Sequence, residues 1–229
     1  MRVVISWSGG KESALALYRA KAAGHVPVCL LNCVDSEGER GMSHGIPCAL
    51  IAAQARALGL PIRQPRVTWD TYEEVFKATL REMKAEQEIE GGVFGDIDIE
   101  QHRHWVERVC QEVGLTPVLP LWGAGREGLL RELICLGFRA ILVNARAELL
   151  GPEWVGRELH EASVAELRKC SVDLCGENGE YHTLVLAGPL FRQRLVLEET
   201  AVSRRDDRLL LEVGKFSLEP CEAGEWPLC

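Results

Sequence analysis

Serine, glycine and lysine are concentrated in one short segment near the start of the chain. This segment, "SWSGGKES" (residues 6–13), ends the β-branched run "RVVIS" and leads into "KESALALYRAKAAG", a stretch of good helix formers closed by Gly24. Gly9 and Gly10 let the backbone turn sharply and present successive N–H groups. Serine hydroxyls, the Lys11 ammonium and the positive end of the following helix all favour an anion. The segment therefore predicts a cradle for a phosphate or pyrophosphate.

A glycine-containing turn between a strand and a helix, with no ligand, is the alternative interpretation. The segment is not a Walker A loop, because no glycine stands at the required distance before the glycine pair, and it does not match GxGxxG. Its position directly after the first strand favours the cradle. The residues expected to hold the phosphates are Ser6, Ser8, Gly9, Gly10, Lys11 and Ser13.

An aspartate in "GDI", Asp96, follows a second short apolar run. A carboxylate exposed at the end of a strand could hold Mg²⁺ that bridges two phosphates. The alternative is that Asp96 caps the N-terminus of the next helix, where aspartate is a favoured residue. Arg103, in "HRHWVERV", is expected to reach the same cleft from the first turns of that helix.

Two glutamates bracket the dipeptide Asn178–Gly179 in "GENGEYHT". Asn-Gly is typical of tight hairpin turns, and a solvated acidic turn is the simplest interpretation. The functional alternative is that Glu177 or Glu180, with Glu180 preferred, faces a ligand. His44 in "MSHGIP" and Asn144 in "LVNAR" are weaker candidates.

Strand-like and helix-like segments alternate over roughly the first 145 residues. Strands are expected at 2–6, 26–32, 61–67, 91–95, 116–122 and 138–145, and helices at 11–24, 48–59, 71–90, 100–114 and 127–137. This alternation implies parallel crossovers and a doubly wound α/β sheet. Ligands of such sheets lie at the carboxyl ends of the strands, which adds Asn32 and Gly95 to the candidates and places Asn144 at such an end.

The pattern changes beyond about residue 146. A helix near 161–169 is followed by strand-like pieces at 180–188, 194–200 and 208–218, which predict a smaller, β-rich α+β lobe. We expect a first domain at 1–125 and a second at 126–229, although 126–145 could pack on either. The tail at 221–229 is expected to be flexible.

Composition narrows the class of protein. The 229 residues carry a formal net charge of −8, which gives no general electrostatic reason to bind nucleic acid or an anionic membrane. No apolar run approaches the roughly 20 residues of a membrane helix, so a cytoplasmic location is expected. Nine cysteines without a CxxC pair give little support for a zinc ribbon or a thioredoxin-type centre.

Three blocks of the sequence resemble one known family. "SGGKES" (8–13) resembles the PP-loop of N-type ATP pyrophosphatases, which have a HUP-like fold. "GDIDIEQHRHWVERVCQEVGLTPVLPLW" (95–122) and "CGENGEYHTLVLAGPLF" (175–191) resemble the diphthine-ammonia ligase family within that superfamily. The resemblance runs from Arg2 to about Phe191.

The resemblance implies an AMP-forming carbon-nitrogen ligase. ATP and ammonia would be substrates, Mg²⁺ a cofactor bound at Asp96, and the catalytic residues Asp96, Arg103, Glu177 and Glu180. The acceptor would be a carboxylate, either diphthine on elongation factor 2 or a small acid. The assembly state is left open.

The chain also departs from the family pattern. Glu12 stands where the PP-loop usually has aspartate, and Asn178 and His182 stand where the ligases favour glycine and glutamate. The latter two changes put diphthine itself in doubt as acceptor. Two other hypotheses also use the nucleotide loop: a PP-loop enzyme that inserts sulfur into tRNA, and a sensor that binds adenine nucleotides without turnover.

Overall fold

The computed structural model describes residues 1–221 and divides into two compact units, Met1–Ala124 and one that begins at Gly125. The tail that is expected to be flexible lies outside the described residues beyond Cys221. Within the described part of the chain, no helix has the length and hydrophobicity needed to cross a membrane.

The first unit alternates strands with helices throughout. Its elements are β1 (Arg2–Ser6), α1 (Lys11–Ala22), β2 (Val26–Leu31), α2 (Cys48–Leu58), β3 (Ile62–Arg63), α3 (Tyr72–Gln87), β4 (Gly91–Val93), α4 (Glu100–Val113) and β5 (Thr116–Val118). The strands form one sheet in the order β3-β2-β1-β4-β5, and every pairing is parallel. The doubly wound sheet predicted from the sequence is confirmed.

Strand β1 lies in the middle of this sheet, between β2 and β4. Its apolar residues Val3, Val4 and Ile5 are buried, as expected for a strand covered on both faces. The chain order reverses across β1, since β2 and β3 lie on one side and β4 and β5 on the other. The carboxyl ends of β1 and β4 therefore border the crevice where ligands of such sheets bind.

Several strands are shorter than the sequence pattern indicates. β3 has two residues, Ile62 and Arg63, because Pro61 and Pro65 on either side lack the N–H group that a strand donates to its neighbour. β5 ends at Val118 rather than at residue 122. The short strands leave longer loops at the carboxyl edge of the sheet.

One face of the sheet is covered by α3 and α4. Their buried residues Phe76, Leu80, Met83, Val106 and Val109 pack with residues of the sheet in one hydrophobic cluster. The Trp105 indole contributes a tilted ring contact to Phe76, with centroids 5.4 Å apart, and its N–H donates to Glu73. These contacts hold α4, and thus the segment before it, against the sheet.

The second unit is built on an antiparallel sheet. Its elements are α5 (Arg126–Cys135), β6 (Arg139–Arg146), a 3₁₀ turn (Pro152–Trp154), α6 (Glu161–Leu167), β7 (Tyr181–Ala187), β8 (Gln193–Arg205) and β9 (Arg208–Pro220). The strand order is β7-β6-β9-β8. This is the smaller α+β lobe expected from the sequence.

The sequence left open where residues 126–145 belong. β6 pairs antiparallel with β7 and β9, and therefore belongs to the second sheet. The prediction that Asn144 lies at a carboxyl end of the parallel sheet is wrong. Local alternation of strand and helix does not specify the partner strand, which here comes from residues 181–220.

We expect Leu80→Ala to lower the free energy of unfolding of the first unit by about 2–5 kcal/mol, because Leu80 is fully buried in the cluster under α3. Val26→Ala, at a position 53% exposed at the start of β2, is the control and should cost less than about 1 kcal/mol. Urea titration followed by circular dichroism measures both. Equal costs would contradict this description of the core.

Candidate functional site

The loop between β1 and α1 has the form that the sequence predicts for a phosphate cradle. Gly9 adopts the left-handed φ of +85°, and Gly10 stands at the N-cap of α1 in an extended conformation. No side chain caps the helix at this position. The first N–H groups of α1 and the positive end of its dipole therefore remain oriented towards the loop.

A buried glutamine from α2 holds the loop in this conformation. The Gln54 side chain is fully buried; its Oε1 accepts a hydrogen bond from Trp7 Nε1 at 3.0 Å, and its Nε2 donates to the Gly9 carbonyl at 2.9 Å. A Cβ atom on residue 9 would lie 2.4 Å from Ile51 Cδ1. Gly9 is therefore required both by its φ angle and by the packing of α2.

The two loop serines are joined by hydrogen bonds. Ser13 Oγ donates to the Gly10 carbonyl at 2.9 Å, Ser8 Oγ donates to Ser13 Oγ at 3.3 Å, and the Gly10 N–H donates to Ser8 Oγ at 3.3 Å. The two 3.3 Å contacts are longer than the usual range for hydrogen bonds of their kinds. A phosphate oxygen is a stronger acceptor and can replace them.

The Lys11 ammonium is 2.6 Å from the carboxylate of its neighbour Glu12. The side chain of Lys11 is 5% exposed, so this pair is largely shielded from water. The sequence indicated only the positive charge of Lys11, whereas the structure shows that Glu12 balances it. A phosphate would have to compete with this carboxylate for the ammonium.

Asn32, at the end of β2, supports the loop through its amide. Its Nδ2 donates to the Trp7 carbonyl at 2.9 Å and its Oδ1 accepts from Gln64 Nε2 at 3.1 Å. Ser6 ends β1 opposite Leu31 of β2 and is half-buried. His44 lies in the long loop between β2 and α2.

The segment after β4 comes close to the first turn of α1. A Cβ atom on Gly95 would lie 3.0 Å from Glu12 Cβ, so glycine permits this approach. Asp96 follows, and its Oδ1 lies 3.2 Å from His102 Nδ1. Helix α4 begins at Glu100 with Ile99 at its N-cap, and so Asp96 does not cap this helix.

Arg103 is directed along its own helix. Its Nε donates to Glu107 Oε1 at 2.7 Å, and its guanidinium lies over the Trp122 ring, 5.1 Å from the centroid. In residues 1–221 these are its contacts, and neither is to Asp96. Its hydrogen bond to Glu107 uses Nε.

The described residues contain no group of three or more histidine, cysteine, aspartate or glutamate side chains that could hold a metal ion. A closed cage made by the protein is therefore absent from this part of the chain. Mg²⁺ commonly uses one or two carboxylates together with water and substrate phosphates. Asp96, whose side chain is 21% exposed beside the cradle, fits that single-carboxylate role.

In the second unit, Glu180 organises the loop that precedes β7. Its Oε1 accepts hydrogen bonds from the Asp173 N–H at 2.9 Å and from Asn178 Nδ2 at 3.2 Å, and its Oε2 accepts from the Asn178 N–H at 3.0 Å. Burial raises the pKa of Glu180, but these donors outweigh burial and hold it below its ordinary value. The carboxylate is thus ionised and committed to the loop.

Asp173 organises the same loop from its other end. Its Oδ1 accepts from the Cys175 and Glu177 N–H groups at 2.9 and 3.2 Å, and its Oδ2 pairs with Arg126. The residues between the end of α6 at Leu167 and the Asn178–Gly179 turn form no strand, so the turn does not close a hairpin as its dipeptide suggests. Glu177 is half-buried in this loop. The sequence did not single out Asp173.

Buried thiols are a feature of the first unit. Burial raises the pKa of Cys33 and of Cys110 to about 12 in each case, and Cys29 is also buried with a raised pKa. A thiol with such a pKa is a poor nucleophile at neutral pH. These three cysteines are therefore packing residues.

Family models match both units. The model described as "Diphthamide synthase N-terminal domain" matches residues 1–117, and the model described as "Diphthamide synthase C-terminal domain" matches residues 125–218. Together they span almost the entire described chain, including the cradle and the loop around Glu180.

Similar curated proteins carry the name diphthine–ammonia ligase. The Homo sapiens protein is 31% identical over 88% of this chain and 85% of its own length. The Danio rerio protein is 30% identical over 93% of each chain, and the Rattus norvegicus protein is 33% identical over 86% of this chain and 83% of its own. A crystal structure described as a predicted subunit of tRNA methyltransferase from Methanocaldococcus jannaschii covers 82% of this chain and 98% of its own. Its sequence identity is 19% and its TM-score is 0.45, which is too low to support an argument.

We expect Gly9→Ala to destabilise the first unit by more than Gly24→Ala does. Both glycines have left-handed φ angles, +85° and +83°, which cost an alanine about 1–2 kcal/mol. A Cβ at residue 24 meets nothing within 4 Å, whereas at residue 9 it meets Ile51 and Gln54. Overpacking should add about 1–3 kcal/mol at residue 9. Urea unfolding curves measure the difference. Equal losses of unfolding free energy in the two variants would contradict the packing of α2 against Gly9.

We expect Glu180→Gln to destabilise the second unit at neutral pH. We also expect its free energy of unfolding to fall less steeply than that of the wild type as the pH is lowered. A carboxyl group with a lowered folded pKa stabilises the fold above its ordinary value of 4.5, and this contribution is lost as the pH falls through the folded value. Urea unfolding monitored by fluorescence at a series of pH values from 7 to 3 measures this effect. Glu161→Gln, exposed on α6, is the control. An unchanged pH dependence in Glu180→Gln would contradict the assignment.

Proposed function

Because this chain belongs to the diphthamide synthase family, we propose that it is an ATP-dependent amide-forming ligase. Its substrates are ATP, ammonia and a carboxylic acid, and its products are an amide, AMP and pyrophosphate. The observation that carries the proposal is that relatives named diphthine–ammonia ligase align over most of both chains, across the phosphate cradle and the acidic loop.

The proposed chemistry has two steps. A carboxylate oxygen of the acceptor attacks the α-phosphorus of ATP, the bond from that phosphorus to the bridging oxygen breaks, and pyrophosphate leaves. The nitrogen of ammonia then attacks the acyl carbon, the bond to the AMP oxygen breaks, and the nitrogen loses a proton as the amide forms. The protein must hold two charged phosphates in the first step and exclude water from the acyl-adenylate before the second.

The cradle is proposed to hold the leaving pyrophosphate. Backbone N–H groups at Gly9 and Gly10, the hydroxyls of Ser8 and Ser13, and the Lys11 ammonium supply donors at the end of the central strand. Ser6, Asn32 and Gly95 support the cradle rather than supply charge. Residues 1–125 are thus proposed as the ATP domain and 126–229 as the acceptor lobe.

Mg²⁺, held by Asp96, would neutralise charge on the phosphates. Glu180 is proposed as a positioning residue, since its carboxylate already accepts three hydrogen bonds from the loop. Glu177 is the residue of that loop proposed to meet ammonia or the acceptor. Arg103 would contribute to phosphate binding through the nitrogens other than Nε, which donates to Glu107.

The relatives' names indicate diphthine, the modified residue of elongation factor 2, as one acceptor. A small acid is the other, because Asn178 and His182 depart from the ligase pattern next to Glu180. The sulfur-inserting alternative loses support from the inert buried thiols at Cys29, Cys33 and Cys110. The nucleotide sensor remains the second candidate, because it needs only the cradle.

We expect Lys11→Ala to lower the rate of AMP release from ATP by about 100-fold or more. The substitution removes a buried cation that would stabilise the negative charge developing on the leaving pyrophosphate. The assay measures labelled AMP formed from α-labelled ATP in the presence of ammonium and Mg²⁺. The acceptors tested in turn are diphthine-bearing elongation factor 2 and a series of small mono-, di- and tricarboxylic acids. Lys21→Ala, in the exposed last turn of the same helix, is the control and should keep full activity.

An acid that yields AMP and an amide in the wild type and the control, but not in Lys11→Ala, supports the ligase. If ATP binds and neither elongation factor 2 nor any acid yields AMP, the ligase proposal is wrong and the sensor hypothesis takes its place.

A further inference from the structure

Two arginines stand opposite each other in the second sheet, beside the acidic loop. Arg146 at the end of β6 is paired in register with Arg208 at the start of β9. Like charges directly opposite each other on neighbouring strands destabilise a sheet. Such a pair therefore calls for a compensating interaction.

The protein itself provides only part of that compensation. Within the described residues, neither arginine forms an ion pair with an acidic side chain. Arg146 Nη2 donates to the Asn178 carbonyl at 3.2 Å, and Arg208 Nη1 donates to the Gly179 carbonyl at 2.8 Å and to Asn144 Oδ1 at 3.4 Å. The Nε and Nη2 donors of Arg208 form the planar fork that binds a carboxylate or phosphate through two hydrogen bonds, and no described acceptor occupies them.

Both guanidinium groups border one small space beside the Asn178–Gly179 turn. A Cβ atom on Gly179 would lie 3.6 Å from Arg208 Nη2 and 3.7 Å from Arg146 Nη2. Both side chains are half-buried, which strengthens their effect on a charge placed between them. Burial, and then the charge of Arg146, lower the pKa of Arg208, while Asp207 acts in the opposite direction.

The residues around this pair include the positions at which the chain departs from the ligase pattern. Asn178 supplies a carbonyl to Arg146, and His182 lies opposite Asn144 in the β6–β7 register. Glu180, two residues from each of these departures, holds the same turn. The arginine pair is thus part of the surface proposed to select the acceptor.

We propose that Arg146 and Arg208 bind an anionic group of the acceptor, a carboxylate or phosphate other than the carboxylate that is adenylated. This inference rests on the proposed ligase function and specifies its substrate class as acids with at least two anionic groups. Diphthine carries a trimethylammonium group, which two adjacent guanidinium groups would repel. Each arginine holds one carbonyl of the turn, which leaves the Nε and Nη2 donors of Arg208 for an anion.

The first experiment measures binding without ATP. Isothermal titration calorimetry at constant ionic strength uses inorganic phosphate and tricarballylate as probes, with acetate as the monoanion. We expect tricarballylate to bind more tightly than acetate, Arg146→Gln and Arg208→Gln to weaken it by about tenfold or more, and Arg146→Lys to fall between. Arg131→Gln, an exposed arginine on α5, is the charge-matched control and should bind as the wild type does.

Because Arg146 and Arg208 also hold the turn, thermal unfolding of each variant is recorded alongside. Arg146→Lys keeps the charge and is expected to keep the fold, so a weakened affinity in this variant with unchanged unfolding supports bidentate recognition. Wild-type protein that binds neither phosphate nor tricarballylate, or folded arginine variants that bind them as tightly as the control, would overturn the inference.

The AMP-release assay separates this inference from the proposed function. If AMP forms with diphthine-bearing elongation factor 2 and the arginine variants retain that activity, the ligase stands and the anionic acceptor is wrong. If no acid yields AMP but anion binding depends on both arginines, the ligase is wrong and the anion site stands. AMP formed only with di- or tricarboxylic acids, with KM raised in the arginine variants, supports both.

Discussion

The hydrogen bonds that Gln54 makes with Trp7 and with the Gly9 carbonyl are the interaction on which the candidate nucleotide site depends. They join Trp7 and the Gly9 carbonyl to α2 in a region from which water is excluded, so that loss of the amide would leave two buried polar groups without partners. With Asn32 holding the Trp7 carbonyl, the backbone of the loop is fixed from both sides. The N–H groups of α1 consequently face the crevice without any rearrangement, which is the condition for electrostatic stabilisation of a leaving phosphate.

The acidic residues of the two units have different roles because their surroundings differ. Glu180 is buried and surrounded by N–H donors, which makes its ionised carboxylate part of the loop's structure. Asp96 is partly exposed beside a histidine, and it is the carboxylate proposed to hold a cation. Glu12 balances Lys11. Among the residues proposed as catalytic from the sequence, Glu180 accepts three hydrogen bonds from its loop and Arg103 donates one to Glu107, and these bonds change what each can contribute.

The candidate nucleotide site and the arginine pair differ in how their positive charges are neutralised. In the first unit, Lys11 and Arg103 each face a carboxylate. In the described part of the second unit, Arg146 and Arg208 face each other and donate to two backbone carbonyls without an ion pair to a carboxylate, and Asp207 acts on Arg208 from beyond ion-pair distance. A site with uncompensated positive charge selects its ligand by sign, because the wrong sign costs far more than an imperfect fit.

The sequence by itself determined the local features: the glycine turn between β1 and α1, the alternation that makes a parallel sheet, and the β-rich second lobe. These follow from glycine's conformational freedom and from hydrophobic periodicity, which act over a few residues. Only the tertiary structure decided that Gln54, 45 residues from Gly9, holds the cradle, that β6 pairs within the second sheet, and that Arg146 faces Arg208. Such contacts depend on strand partners and registers chosen by packing of the whole core, and no short stretch of sequence contains that information.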